Sequence, residues 1–179
     1  MADRNPGRAL DVVRRVEMMC DFIENPAVRT AVEQAVPVTM PRAPGALGFD
    51  IPLWVGLGAV GLWAALDGFS ERAVLPDPAC PTCGRHCIPA RFGPHVQGNE
   101  GTSLAELEDL RHLYAHNYAG EADDEYFGTT VPRRRHVLAR GKVAQLTCGA
   151  QFDGQRIQLD LPHLRAYAGV ARAVLQRFP

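Results

Sequence analysis

The feature that most constrains this chain is the run IPLWVGLGAVGLWAAL, residues 51–66, which carries no charge and is bounded by Asp50 and Asp67. It is shorter than the roughly 20 apolar residues that a membrane-spanning helix needs. We therefore predict a buried core helix over about Leu53–Arg72, and no membrane association. Glycines weaken a helix, so three of them are expected where neighbouring elements pack closely: Gly56, Gly58 and Gly61.

The composition is that of an ordinary globular domain, with 179 residues, 46% hydrophobic and 22% charged. Charges interrupt the N-terminal segment, and the cysteine count of five is odd, which together favour a cytoplasmic protein without a disulfide framework. A net charge of −1 excludes nucleic-acid binding through overall charge. The candidate local basic patch is RRRH (133–136), followed by Arg140 and Lys142.

The hydrophobic periodicity predicts three further helices. The first covers about Arg8–Asn25. The second begins at Ser103, which forms a capping box with Glu106, and ends near Asn117. The third begins near Pro162. The expected core stripes are Leu10, Val13, Cys20, Ile23 and Ala27 on the first helix, and Leu164, Tyr167, Ala168, Ala171, Leu175 and Phe178 on the last. We predict a mainly α fold, a single helical-bundle domain over residues 1–179.

Two segments depart from this helical pattern. The proline- and glycine-rich run at 36–52 predicts a linker. Between 143 and 161 the apolar period changes to two, and Asp153-Gly154 is a strong signal for a two-residue turn. A β-hairpin over about 143–161 would place three apolar pairs on one face: Ala150 with Ile157, Cys148 with Leu159, and Leu146 with Leu161.

A third departure is an insert at 76–98 that contains CPTCGRHC. Cys80, Cys83 and Cys87 have a spacing that would suit a structural zinc ion, with His86 or His95 as the fourth ligand. A second CxxC pair, which would make the pattern specific, is absent from the sequence. The alternative is a set of cysteines in a proline-rich loop that bind no metal.

Polar and aromatic residues are concentrated in LRHLYAHNYAG, residues 110–120. At about 100° per residue, the helix that carries this segment turns Leu107, Leu110 and Tyr114 toward the core. Arg111 and His116 then cannot share one narrow stripe. A ligand held by both must lie across the helix or between two such helices.

These residue types suit phosphodiester chemistry. The guanidinium of Arg111 offers a planar fork of donors to two phosphate oxygens. The imidazole of His116 can take a proton from a hydroxyl group and return it, with His112 and Asn117 as helpers and no metal required. In this composition about 0.6 Arg-x4-His pairs are expected by chance, and a Tyr two residues further on lowers that to about 0.01.

The stretch RHLYAHNY resembles the R-x4-H-x-Y signature of HEPN domains, with Arg111, His116 and Tyr118 in the three places. The resemblance covers this motif and, loosely, the helical layout. It implies a HEPN-like helical bundle that pairs as a homodimer and acts as a metal-independent endoribonuclease on RNA, with its active site where two motifs meet. It also implies a toxin or defence role, with a nucleotidyltransferase antitoxin that modifies Tyr118. The insert and the hairpin depart from the simplest HEPN bundle.

Other interpretations of the same residues stay open. Arg111 and Glu108 would form an ordinary surface ion pair, and Tyr114 and Tyr118 would be packing residues. The chain would then be a non-catalytic HEPN-like binding or dimerisation module, with the insert as a structural zinc site. A third alternative is nucleotide binding without cleavage.

Overall fold

The structure is a computed structural model that describes residues 2–35, 51–80, 86–117, 145–153, 156–157 and 159–179. Its elements are the helices α1 (Gly7–Glu24), α2 (Pro26–Ala35), α3 (Ile51–Arg72), α4 (Ile88–Arg91), α5 (Glu100–Asn117) and α6 (Leu161–Leu175), a 3-10 turn (Gly93–His95), and the strands β1 (Phe152–Asp153) and β2 (Arg156–Ile157). The mainly helical fold predicted from the sequence is confirmed. Within these ranges no helix has the length and apolar character to cross a membrane.

Helix α3 is the centre of the bundle and packs against α1, α5 and α6. Its side chains at Leu62, Leu66 and Phe69 are fully buried, as expected for the uncharged segment. The predicted close contacts at two of its glycines are also present. A methyl group at Gly56 would overlap the ring of Tyr114 on α5, and one at Gly58 would overlap Leu164 on α6. The glycines therefore let these two helices approach the α3 backbone closely.

Helices α1 and α6 pack together with the apolar stripes that the sequence predicts. All six predicted stripe residues of the C-terminal segment are buried. On α1 the stripe holds through Ile23, but Ala27 is exposed, because Pro26 starts the separate helix α2. Proline has no amide hydrogen to donate and fits the first turn of a helix, so α1 ends at Glu24, close to the predicted end at Asn25, and Ala27 does not belong to its stripe. The guanidinium of Arg165 on α6 reaches Asp21 and Glu24 of α1, both at 2.7 Å.

Helix α5 begins three residues before the predicted start, and the predicted capping box is wrong. Ser103 lies inside the helix, where its hydroxyl donates to the carbonyl of Asn99 at 3.2 Å. The Glu106 side chain points into the core. The carboxylate of Glu100 instead accepts the backbone N–H of Gln97 at 2.7 Å, at the true start of the helix. Ser103 and Glu106 bond to groups that lie more than 40 residues away in sequence.

The predicted hairpin over 143–161 is present only as the short antiparallel pair β1–β2, and its register differs from the prediction. Ile157 pairs with Phe152 rather than with the predicted Ala150, so the register is shifted by two residues. Residues 145–151 form a separate tight turn, closed by the Leu146 amide donating to the Ala150 carbonyl at 2.8 Å. The predicted pairings of Cys148 and Leu146 are therefore absent, although Leu146, Ala150 and Leu159 are buried as predicted. Residues 36–50 of the predicted linker and the basic patch at 133–136 lie outside the described residues, whereas the last two residues of the predicted linker, 51 and 52, belong to α3.

Candidate functional site

Arg111 lies in the C-terminal half of α5, and its guanidinium carbon is 4.1 Å from the ring centroid of Trp63 on α3. The cation rests on the negative face of the indole, a favourable geometry for a cation–π interaction. Both side chains are partly buried. The candidate phosphate-binding cation is thus placed at the interface between the two helices.

Tyr114 fixes the same interface one helical turn further along α5. Its ring is 7% exposed and fills the space above Gly56, where any side chain on α3 would collide with it. Leu107 and Leu110 are buried on the same side of α5, at 1% and 0% exposure. The predicted core face of this helix is confirmed.

The remaining motif residues are only partly visible. His112, His116 and Asn117 belong to α5, so their backbone positions are defined, but the structure does not describe their side chains. Five residues of α-helix separate Arg111 from His116, which corresponds to about 7.5 Å along the axis and about 140° around it. Tyr118 lies outside the described residues. The roles predicted for these four residues stay predictions.

Glu108 does not have the surface setting that the ion-pair interpretation requires. Its Oε2 atom accepts the backbone N–H of Ile88, at the start of α4, with an N–O distance of 3.1 Å. Burial raises the pKa of this carboxyl to about 7, and the nearby charge of Asp109 also raises it. Glu108 and Arg111 therefore contact different neighbours, α4 and α3 respectively.

Helix α5 is enclosed around its circumference over 103–110. Ala105 and Asp109, on the side opposite Leu107, are 7% and 2% exposed. The burial of this segment therefore extends beyond the core face that the sequence predicts from Leu107, Leu110 and Tyr114. Its polar residues must satisfy their hydrogen bonds inside the protein.

A buried polar network anchors α5 to the rest of the bundle. The carboxylate of Glu106 is 1% exposed and accepts the Thr147 amide at 2.9 and 3.1 Å, the Thr147 hydroxyl, and the Tyr167 hydroxyl at 2.8 Å. The Ser103 hydroxyl lies 2.8 Å from that of Thr147. Burial and the charge of Glu106 raise the pKa of Tyr167, so its hydroxyl remains a donor. The network connects α5, the 145–151 turn and α6, and it holds the motif-bearing helix in place.

The cysteine insert brings two of its three predicted ligands together. Cys80 and Cys87 are 5% and 3% exposed. Burial raises the pKa of the Cys87 thiol, and a hydrogen bond with the Cys80 side chain contributes to that rise. Two adjacent buried thiols would fit part of a zinc site, although zinc binds the deprotonated thiol and the raised pKa of Cys87 opposes that proton loss. Cys83 lies outside the described residues.

The two histidines considered as a fourth ligand make other contacts. Nδ1 of His86 lies 2.7 Å from the Asp77 carbonyl oxygen and 3.1 Å from its carboxylate. The ring of His95 packs on Phe178 with a centroid distance of 4.0 Å. Across the described ranges, no group of three or more His, Cys, Asp or Glu side chains is placed to hold a metal ion. The zinc site stays a prediction.

Neither Trp63 nor the Glu106 network could be predicted from sequence patterns. The same patterns predicted that Glu108 lies at the surface. Trp63 lies in an apolar helix, where nothing marks it as the partner of an arginine 48 positions away. Glu106 looks like a capping residue because of its distance from Ser103. No local pattern distinguishes a buried carboxylate from an exposed one when its donors come from distant parts of the chain.

A scan against protein-family models and searches of curated proteins and of solved structures find no match for this chain.

Proposed function

We propose that the protein is a HEPN-type, metal-independent endoribonuclease. In this proposal Arg111 binds the scissile phosphate and His116 acts as the general acid and base, with His112 and Asn117 as helpers. Two copies of the chain form the complete site, because Arg111 and His116 lie on different sides of α5. RNA is the substrate.

The observation that carries this proposal is the position of the Arg111 guanidinium over Trp63. The main alternative is an ordinary surface ion pair between Arg111 and Glu108. The Glu108 carboxyl instead accepts a backbone hydrogen bond from Ile88 and has a pKa near 7. Arg111 is therefore partly buried at a helix interface rather than on a fully solvated helix face.

The proposed reaction needs only proton transfer and charge stabilisation. His116 removes the proton of a ribose 2′-hydroxyl, and that oxygen attacks the adjacent phosphorus. The bond from phosphorus to the 5′-oxygen breaks, and the departing oxygen takes the proton that His116 had accepted. The products are a 2′,3′-cyclic phosphate and a 5′-hydroxyl end. Arg111 stabilises the negative charge that builds on the phosphate oxygens.

The test is RNA cleavage by the purified chain in EDTA, with the cyclic phosphate detected on the product. Arg111→Ala and His116→Ala should each abolish cleavage while the circular dichroism spectrum is unchanged. Arg14→Ala is the matched control, because Arg14 is exposed and lies outside the motif. Cleavage that survives both motif substitutions would refute the proposal.

A second candidate is a binding or dimerisation module without catalysis. Exposed apolar side chains on α1 and α3 favour it: Met18 at 58%, Phe22 at 55%, Leu57 at 54% and Trp54 at 39%. Single exposed apolar residues are common, but several large ones on neighbouring helices suit a partner surface. This module would not cleave RNA. The double variant Phe22→Ser/Leu57→Ser would reduce its self-association in analytical ultracentrifugation. Unchanged association together with Arg111-dependent cleavage would exclude it.

A further inference from the structure

Trp63 makes a contact that the proposed chemistry does not yet use. Its ring lies under the Arg111 guanidinium at 4.1 Å, and its indole Nε1 is buried. No hydrogen-bond acceptor for that Nε1 is found among the residues that the structure describes. Burying an N–H group without an acceptor is unfavourable. A phenylalanine would fill much of the same space without this cost, so the indole needs another reason to be there.

The electron-rich face of tryptophan supplies that reason. Among aromatic side chains, tryptophan holds a guanidinium most strongly through the cation–π interaction. Arg111 has a long side chain with many rotamers, and the contact of its guanidinium with the ring face restricts them. The guanidinium donors all lie in that plane. With one face on the indole, the in-plane edge is the natural route for a ligand.

The packing of α3 against α5 holds the Trp63 ring and the Arg111 guanidinium in place. Gly56 and Trp63 are seven residues apart on α3, about two turns, and therefore face the same side. Gly56 receives the ring of Tyr114, and Trp63 receives the guanidinium of Arg111. These are two contacts along one α3–α5 interface. Close packing at the glycine fixes the distance between the helices, and with it the height of the guanidinium above the indole.

We propose that Trp63 is the positioning residue of the site: its indole face orients the Arg111 guanidinium so that two in-plane N–H donors meet two oxygens of an RNA phosphodiester. The planar fork matches a phosphate in this geometry. A nucleobase stacked on the covered face is excluded by the indole itself. This inference rests on the proposed ribonuclease function for its substrate, and on the α3–α5 geometry for the role of Trp63.

The experiment measures binding and cleavage separately in the full chain. An RNA oligonucleotide provides KM and kcat. The same sequence with 2′-deoxyribose lacks the attacking hydroxyl, so it reports binding of the phosphodiester alone. Trp63→Leu should weaken binding of the deoxy oligonucleotide about tenfold and raise KM in proportion, with a smaller effect on kcat. Trp63→Phe should recover most of this loss, because it keeps an aromatic face. Ala64→Ser, at an exposed position on the same helix, should bind as the wild type does.

A double-mutant cycle shows whether Trp63 acts through Arg111. In the Arg111→Ala background, Trp63→Leu should cause no further loss of binding. Arg111→Lys should remain weak, because lysine keeps the charge but not the planar fork. Full binding by a folded Trp63→Leu variant, or an equal loss in the Arg111→Ala background, would overturn the inference.

The outcomes also separate the inference from the proposed function. Wild-type protein that binds the deoxy oligonucleotide through Arg111 and Trp63 but does not cleave RNA would refute the nuclease and keep the positioning role. Cleavage that is unaffected by Trp63→Leu would refute the positioning role and keep the nuclease. Absence of both binding and cleavage in the wild type would overturn both. If Trp63→Leu does not fold, Trp63→Phe is compared with the double variant Trp63→Phe/Arg111→Ala. Equal binding of the deoxy oligonucleotide by these two proteins would refute the positioning role of Trp63.

Discussion

Replacing Glu108 with glutamine should stabilise the protein at alkaline pH and leave it nearly unchanged at acidic pH. The carboxyl is partly buried and accepts the Ile88 amide at 3.1 Å. Burial raises its pKa from 4.5 to about 7, with Asp109 and Asp67 adding to the rise. The Ile88 hydrogen bond and the charge of Arg91 act in the opposite direction but do not offset burial. Glutamine keeps an oxygen for the Ile88 amide and carries no charge.

The direction of the stability change in Glu108→Gln follows from the linkage between proton binding and folding. Between about pH 4.5 and pH 7 the folded protein holds the Glu108 proton while the unfolded chain has lost it. The unfolded state then binds fewer protons, so the free energy of unfolding falls as the pH rises through this window. At 1.36 kcal/mol per pKa unit, the full difference is about 3 kcal/mol. Partial solvent contact reduces this, and we expect about 1–3 kcal/mol. Glu108→Gln has no proton to lose, so at pH 8 its free energy of unfolding should exceed that of the wild type by about 1–3 kcal/mol.

Urea denaturation at pH 5 and pH 8 measures the effect, with the midpoint and the slope fitted separately. A gain of 1 kcal/mol also corresponds to a rise in Tm of about 2–4 °C for a chain of this size. Glu100→Gln is the matched control on the same helix. Its carboxylate accepts hydrogen bonds from Arg177, which lower its pKa. That stabilisation is present above the ordinary carboxyl pKa and is lost as the pH falls, so Glu100→Gln should destabilise the protein at pH 8. A Glu108→Gln effect that is destabilising at pH 8, or equal at both pH values, would refute the reasoning.

Three further predictions concern packing, hydrogen bonding and metal binding. Gly56→Ala should destabilise the protein by about 1–3 kcal/mol in urea, because the methyl group overlaps the Tyr114 ring and the overpacking outweighs the gain in helix propensity. Tyr167→Phe should cost about 1–3 kcal/mol in the same assay, because the buried Glu106 carboxylate loses a donor. If the insert binds zinc, the purified chain should contain metal by mass spectrometry, and Cys80→Ser or a chelator should remove it and lower Tm.

Each of these has a control that isolates its cause. Gly61→Ala should be neutral or stabilising, because the nearest atom to a methyl group there, on Val16, lies 3.8 Å away. If Gly56→Ala and Gly61→Ala behave alike, close packing is not the reason for Gly56. Arg165→Ala removes surface ion pairs and should cost under about 1 kcal/mol, less than Tyr167→Phe. Cys20→Ser should leave the metal content unchanged, because Cys20 is buried on α1, away from the insert.

The fold and the candidate site differ in how far they could be predicted. Helices α1 and α6 follow from apolar periodicity, because the spacing of apolar residues shows which face a helix buries. Helix α3 follows from the length of its uncharged run. The motif could also be found, because Arg111, His116 and Tyr118 are close in sequence. The turn at 145–151 could not be predicted, because an alternating apolar pattern fits more than one strand register. A shift of two residues keeps the same side chains on the same face.

What the sequence by itself determined is a helical chain built around an uncharged core segment, and the local identity of a motif that suits phosphate chemistry. The tertiary structure decided where the charges of α5 lie. Glu106 is buried because Thr147 and Tyr167 supply donors to it, Glu108 is partly buried against Ile88, and Arg111 rests on Trp63. Each of these partners lies 20 or more residues away. The energy of a charge depends on its surroundings in space, which only the packing of distant segments defines.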